Sequence, residues 1–245
     1  MASKSEAKTK AKNTKSESKT KNNELDISER IGEFIQKNRM GILIGLIAVI
    51  AVLAGFIVTN AVRGKILSNA LSKVDGFNRR YEELKLFIGN DDPETLLKQA
   101  EVFVLIEELS AFEDKNSGLA AARAYDLSGN IYADQKNWAQ AEEAWSLAAK
   151  AAAKSYLVPV YLYNAAVAAE EQGNTDSAIA LYTRTLGYGN SFPSAARAQF
   201  SIGRLEESRN NIDAALEAYR SLLSKWPDDP VWLNLAQSRI LVISE

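Results

Sequence analysis

A chain of 245 residues with neither histidine nor cysteine gives up much of what side chains can do chemically. Disulfides, thiolate zinc sites, cysteine nucleophiles, imidazole bases and most transition-metal sites are excluded together. Carboxylate, lysine, serine and tyrosine remain. The carboxylates recur as adjacent pairs: Glu107-Glu108, Glu142-Glu143, Glu170-Glu171 and Glu206-Glu207, with Asp91-Asp92 and Asp228-Asp229 beside prolines. Glycan hydrolysis needs two carboxyl groups facing each other across a bond, and calcium needs several oxygens on one point. Adjacent helical residues point about 100° apart, so the glutamate pairs do not converge. The aspartate pairs stand where helix starts want caps. The expectation is a protein without catalysis, cofactor or metal.

The elements that carry these pairs repeat. "LSGNIYADQKNWAQAEEAW" (127–145), "QGNTDSAIALY" (172–182) and "SRNNIDAALEAY" (208–219) share one punctuation. Ala141, Ala178 and Ala215 are spaced 37 residues apart, and the same register superimposes Asn137, Asn174 and Asn211, then Trp145, Tyr182 and Tyr219. Gly129, Ala166 and Gly203 stand twelve residues before each alanine. A fixed period of this length is the mark of a solenoid. Each unit reads as a helix, a turn at the asparagine in left-handed conformation, and a second helix, with small residues at helix crossings and aromatics at the seams between units.

The first 62 residues have another character. Residues 1–40 carry ten Lys/Arg against six Asp/Glu, so the remainder is net acidic. Residues 1–26 hold almost no large apolar side chain and read as a disordered lysine-rich tail. Without arginine or interleaved aromatics it reads as solvated, and nucleic acid is not an expected partner. Over 27–39, Ile27, Ile31, Phe34 and Ile35 share one helical face, as in an amphipathic helix at a membrane surface, with Ser28 as its cap. "MGILIGLIAVIAVLAGFIVT" (40–59) follows, and the uncharged run extends to residue 62. Twenty residues at ~1.5 Å each span ~30 Å, the bilayer's hydrocarbon thickness. A cleaved signal peptide is the alternative, but such apolar cores run ~7–15 residues and start nearer the terminus. The excess of basic residues before the span places the N-terminus in the cytoplasm and the rest outside.

Over 63–118 two connecting helices are expected. Ile66, Ala70, Val74, Phe77, Tyr81, Leu84 and Ile88 form one stripe, Gly89-Asn90 ends it, and Asp92-Pro93 caps and opens the second. The repeats occupy 119–229 and a capping helix with a polar outer face occupies 230–245.

Gly129, Tyr132, Ala141 and Trp145, then Gly203, Ala215, Tyr219 and Pro227, resemble the tetratricopeptide repeat pattern, lengthened from 34 residues by longer second turns at "AAAKSYLVP" and "GYGNSFPSA". The resemblance implies an all-α fold, an N-terminal transmembrane helix followed by a helical solenoid. Its concave face would be lined by Arg123, Asp126 and Asn130, then Tyr163, Val167 and Glu170, then Arg197, Phe200, Arg204 and Glu207. That face implies protein or peptide partners, with the membrane engaged by residues 40–62. Asn130, Asn164 and Arg197 resemble the carboxylate-clamp subset of the family, but Asp126 and Ser201 replace its lysine and arginine, so no clamp is expected. One membrane helix ahead of a small repeat domain also resembles the YfgM-like family of ancillary Sec-translocon subunits. That resemblance implies the bacterial inner membrane, a periplasmic repeat domain, and the translocon and a periplasmic chaperone as partners. The alternative is a scaffold for envelope assembly or division on the same fold.

Overall fold

In the computed structural model, which describes residues 3–85, 93–153 and 155–244, α1 (Ser3–Lys85) and α2 (Pro93–Glu113) precede three hairpins. These are α3 (Gly118–Asp134) with α4 (Trp138–Ala151), α5 (Val158–Glu171) with α6 (Thr175–Leu186), and α7 (Ala195–Ser208) with α8 (Ile212–Lys225); α9 (Pro230–Ile243) follows. No strand occurs among the described residues, and the fold is all-α. The longer second turns are there: a 3-10 turn, Gly189–Ser191, lies between α6 and α7. The expected stop at Gly89-Asn90, the stripe's last residue Ile88 and the Asp92 cap lie outside the described residues.

All three hairpin turns close through the same hydrogen bonds. The Asn137 N–H donates to the Tyr132 carbonyl at 2.8 Å, Asn174 to Ala169 at 2.9 Å and Asn211 to Glu206 at 2.9 Å. In each turn the preceding N–H reaches a carbonyl three residues back, which completes a Schellman motif. The left-handed residue is the one before each asparagine: Lys136 at φ 58°, Gly173 at φ 76° and Asn210 at φ 61°. The asparagines themselves have φ between −82° and −92° and start the second helix; Asn174 Oδ1 accepts from the Ser177 N–H at 3.2 Å. The sequence reading placed the left-handed residue one position too late, because asparagine suits either a left-handed or a capping position.

The aromatics also do more than fill seams. A Cβ on Gly129 would lie 2.7 Å from Trp145 Nε1, and one on Gly203 2.5 Å from Tyr219 Cε1. Each of these rings therefore packs on the glycine of its own hairpin, and Gly129 and Gly203 lack a side chain because a ring lies there. Ala141, Ala178 and Ala215 are fully buried at the crossings.

The chain divides into two units, Met1–Lys65 and Ile66–Glu245. In the second, Val74, Phe77, Tyr81 and Leu84 of α1 join Val102, Leu105, Leu109 and Phe112 of α2 and Leu127 and Ile131 of α3 in one core. The Tyr81 hydroxyl donates to Asp134 at 2.5 Å, and Lys85 pairs with Asp134 at 2.7 Å. A second core runs from α3 through α7, and a third joins α8 to α9.

In the first unit the backbone is helical from Ser3, where the sequence reading has a disordered tail and a separate surface helix. No glycine or proline precedes Gly32, and alanine, lysine and glutamate are good helix formers, so no local signal breaks the helix. The apolar run is uncovered, with Ile44 63% and Val52 72% exposed. This is the one helix among the described residues long and apolar enough to cross a membrane. The Thr59 hydroxyl donates to the Phe56 carbonyl at 2.9 Å and so satisfies itself within the helix.

Candidate partner-binding groove

The side chains expected on the concave face lie on the first helix of each hairpin. On α3, Arg123 pairs with Asp75 of α1 at 2.8 Å. Asp126 accepts from Trp145 Nε1 at 3.0 Å, and the Asn130 amide donates to the Asp126 backbone carbonyl at 2.8 Å. Burial pushes the Asp126 carboxyl above its usual range, against the Trp145 hydrogen bond and the Arg123 charge, which lower it.

On α5 and α7 the residues meet one another. Glu170 takes the Arg204 guanidinium from the next unit and the Tyr182 hydroxyl, at 3.2 Å, from its own hairpin. Glu207 repeats this arrangement one unit later, taking Arg239 of α9 and the Tyr219 hydroxyl at 3.0 Å. Burial raises the Tyr182 and Tyr219 phenols above their ordinary range, so both remain donors. Tyr163 packs edge-on to Tyr182 with centroids 5.5 Å apart and also meets Phe192 at 5.7 Å. Phe200 lies between Tyr219 and Trp232, each at 5.4 Å. Val167 packs against the central core.

Arg197 differs from its neighbours. It is exposed, and its guanidinium lies 5.6 Å from the Tyr163 ring and 6.0 Å from Trp232. No carboxylate pairs with it in the ion pairs of the described residues, so it offers a cation on an aromatic bed. Beside it a cleft of about 360 Å³ is lined by Phe200, Arg204, Glu207, Ser208, Tyr219 and Arg239.

The structure thus joins Tyr163, Glu170, Arg197, Phe200, Arg204 and Glu207 through direct contacts or shared partners. Arg123, Asp126 and Asn130 form a separate cluster tied to α1 and α4. Three contributors escaped the sequence reading: Asp75, Trp232 and Arg239. The last two lie 35 residues after Arg197 and Arg204, and continuing the repeat into α9 at that shorter spacing finds them. Glu142, expected on a solvated face, accepts from Gln172 at 2.7 Å and from Ser177 at 2.5 Å and so ties the first hairpin to the second.

Helix hairpins packed in succession define a helical-repeat module, a class that mediates protein–protein interaction. Residues 163–230 match the family model of the tetratricopeptide repeat. A TPR repeat-containing protein of Treponema pallidum (strain Nichols) is 37% identical over 127 residues, 52% of this chain and 52% of that protein. The chain spans about half the length of this curated relative.

Proposed function

We propose that this protein is a membrane-anchored interaction module of the bacterial inner membrane. Residues 40–62 are its single span, its N-terminus is cytoplasmic and its repeats are periplasmic. The groove receives an extended segment or helix of a protein at the Sec translocon, either a translocon component or a chaperone working beside it. The observation that carries the groove reading is Arg197. Glu170 and Glu207 are already neutralised by Arg204 and Arg239, whereas Arg197 sits on Tyr163 and Trp232 without an acid of its own. Such a site suits a carboxylate flanked by apolar side chains, with Phe200 and the adjoining cleft taking one of them. The translocon assignment draws on the order of segments: a polar N-terminus, one apolar helix, then repeats.

Affinity purification of the full chain from solubilised membranes tests this reading. Translocon subunits are expected with the wild type and diminished with Arg197→Glu. Their absence from the wild-type sample would discard the translocon assignment, and equal recovery with the variant would discard the groove.

A further inference from the structure

Within the second unit, a cavity of about 500 Å³ lies between α1 and the last turns of α2. One wall is apolar, from Ile66, Ala70, Phe77 and Phe112, and Ile66 at its edge is 63% exposed. Lys73 and Lys115 bring two cations to the same space. The Lys73 ammonium stands 5.6 Å from the Phe77 ring and 5.7 Å from the Phe112 ring, which holds its charge at the cavity wall. Neither lysine pairs with a carboxylate in the ion pairs of the described residues. The carboxylate in the lining, Glu108, is held by Arg80 at 2.6 Å. Asn116 gives one amide N–H to the Phe112 carbonyl at 2.7 Å and keeps the other. The cavity thus sets two unneutralised positive charges and a donor beside an apolar wall.

A soluble anion would use the charges and leave the apolar wall wet. An apolar segment would cover the wall and strip water from two unpaired ammonium groups, which is costly. An anionic amphiphile uses both, and the chain brings one near. Ile66 stands four residues after Val62, the end of the uncharged run, and four residues reach at most ~14 Å. Of the three residues between them, Arg63 and Lys65 are basic. We infer that the cavity binds the headgroup of an anionic phospholipid of the membrane that residues 40–62 enter. Lys73 and Lys115 meet its phosphate, Asn116 donates to a headgroup oxygen, and Ile66 and Ala70 meet the start of its acyl chains. The inference rests on the reading of residues 40–62 as a membrane span; it is independent of the translocon assignment and of what the groove binds.

The full chain, with a photoreactive residue in place of the exposed Asn69 of the cavity lining, is to be reconstituted into vesicles of phosphatidylcholine and phosphatidylglycerol in equal amounts. The vesicles are floated and irradiated, and the adducts are identified by mass spectrometry. Leu67, exposed and about 160° away round α1, carries the photoreactive residue in the control. At position 69 phosphatidylglycerol adducts should exceed phosphatidylcholine adducts by roughly fivefold for each lysine engaged, and by less at position 67. Lys73→Gln with Lys115→Gln should bring the preference at position 69 down to that at position 67; both lysines are exposed, so the fold is retained. Inorganic phosphate at matched ionic strength should leave the adducts unchanged. The inference is overturned by a chain that floats but gives no lipid adduct at position 69, by equal preference at the two positions, by indifference to the lysine substitutions, or by loss of adducts to inorganic phosphate. A chain that does not float with the vesicles would overturn the membrane span itself, and the inference with it.

Discussion

Asp126, proposed for the groove, carries a charge that the fold accommodates poorly. Its carboxylate keeps one hydrogen bond, from Trp145, and burial holds its pKa above the usual aspartate value of about 3.9. A carboxyl that binds its proton more tightly folded than unfolded stabilises the native state while protonated. That stability is fully present below the unfolded pKa and declines as pH rises through the folded one. Asp126→Asn keeps an oxygen for Trp145 and removes the charge. Its stability relative to wild type, from urea titrations between pH ~3 and ~7, should therefore increase with pH; a difference that stays flat or falls would show that the carboxylate is not desolvated. Burial raises the Glu113 carboxyl too, against its hydrogen bond from Ser128, and the substitution leaves that contribution unchanged.

At the scale of the helical hairpin, one glycine is required by packing and another is not. Alanine at Gly203 gains ~1 kcal/mol of helix propensity but sets a methyl group against the buried Tyr219 ring, an overpacking that costs ~1–3 kcal/mol. Thermal or urea unfolding should show a net loss of ~1–2 kcal/mol for Gly203→Ala, and a gain of ~0.5–1 kcal/mol for Gly76→Ala, whose nearest neighbour is the Arg79 side chain at 3.8 Å. Trp145→Ala should cost ~3–5 kcal/mol, because the ring is 6% exposed; a loss below ~1 kcal/mol would contradict the hairpin packing. The hairpins were legible in the sequence because each small residue and its aromatic partner recur at a constant spacing. The kinship of α9 with α7 was not, since their matching residues are 35 rather than 37 apart. Nor were the Arg204–Glu170 and Arg239–Glu207 pairs, which join helices more than 30 residues apart and leave no local pattern. That the proposed groove positions lie on the first helix of each hairpin followed from the register. That Tyr163 and Phe200 are braced by Tyr182, Phe192, Tyr219 and Trp232 did not, so removing both rings costs stability as well as binding.

For the whole molecule, the proposed topology sets the two ends of the apolar run in different compartments. In spheroplasts, a thiol introduced at Ser117 should react with a membrane-impermeant reagent and one at Ser16 should not; the reverse pattern would invert the topology and remove the periplasmic reading. The central claim is that the concave face, not the outer one, meets the partner. Photo-crosslinking in living cells tests it most directly, with a photoreactive residue replacing Arg197 in one full-length form and Glu217, exposed on α8, in another. The account predicts discrete adducts with a partner protein from position 197 and none from position 217. Adducts from position 217 alone would show that the outer face does the binding and would contradict the account.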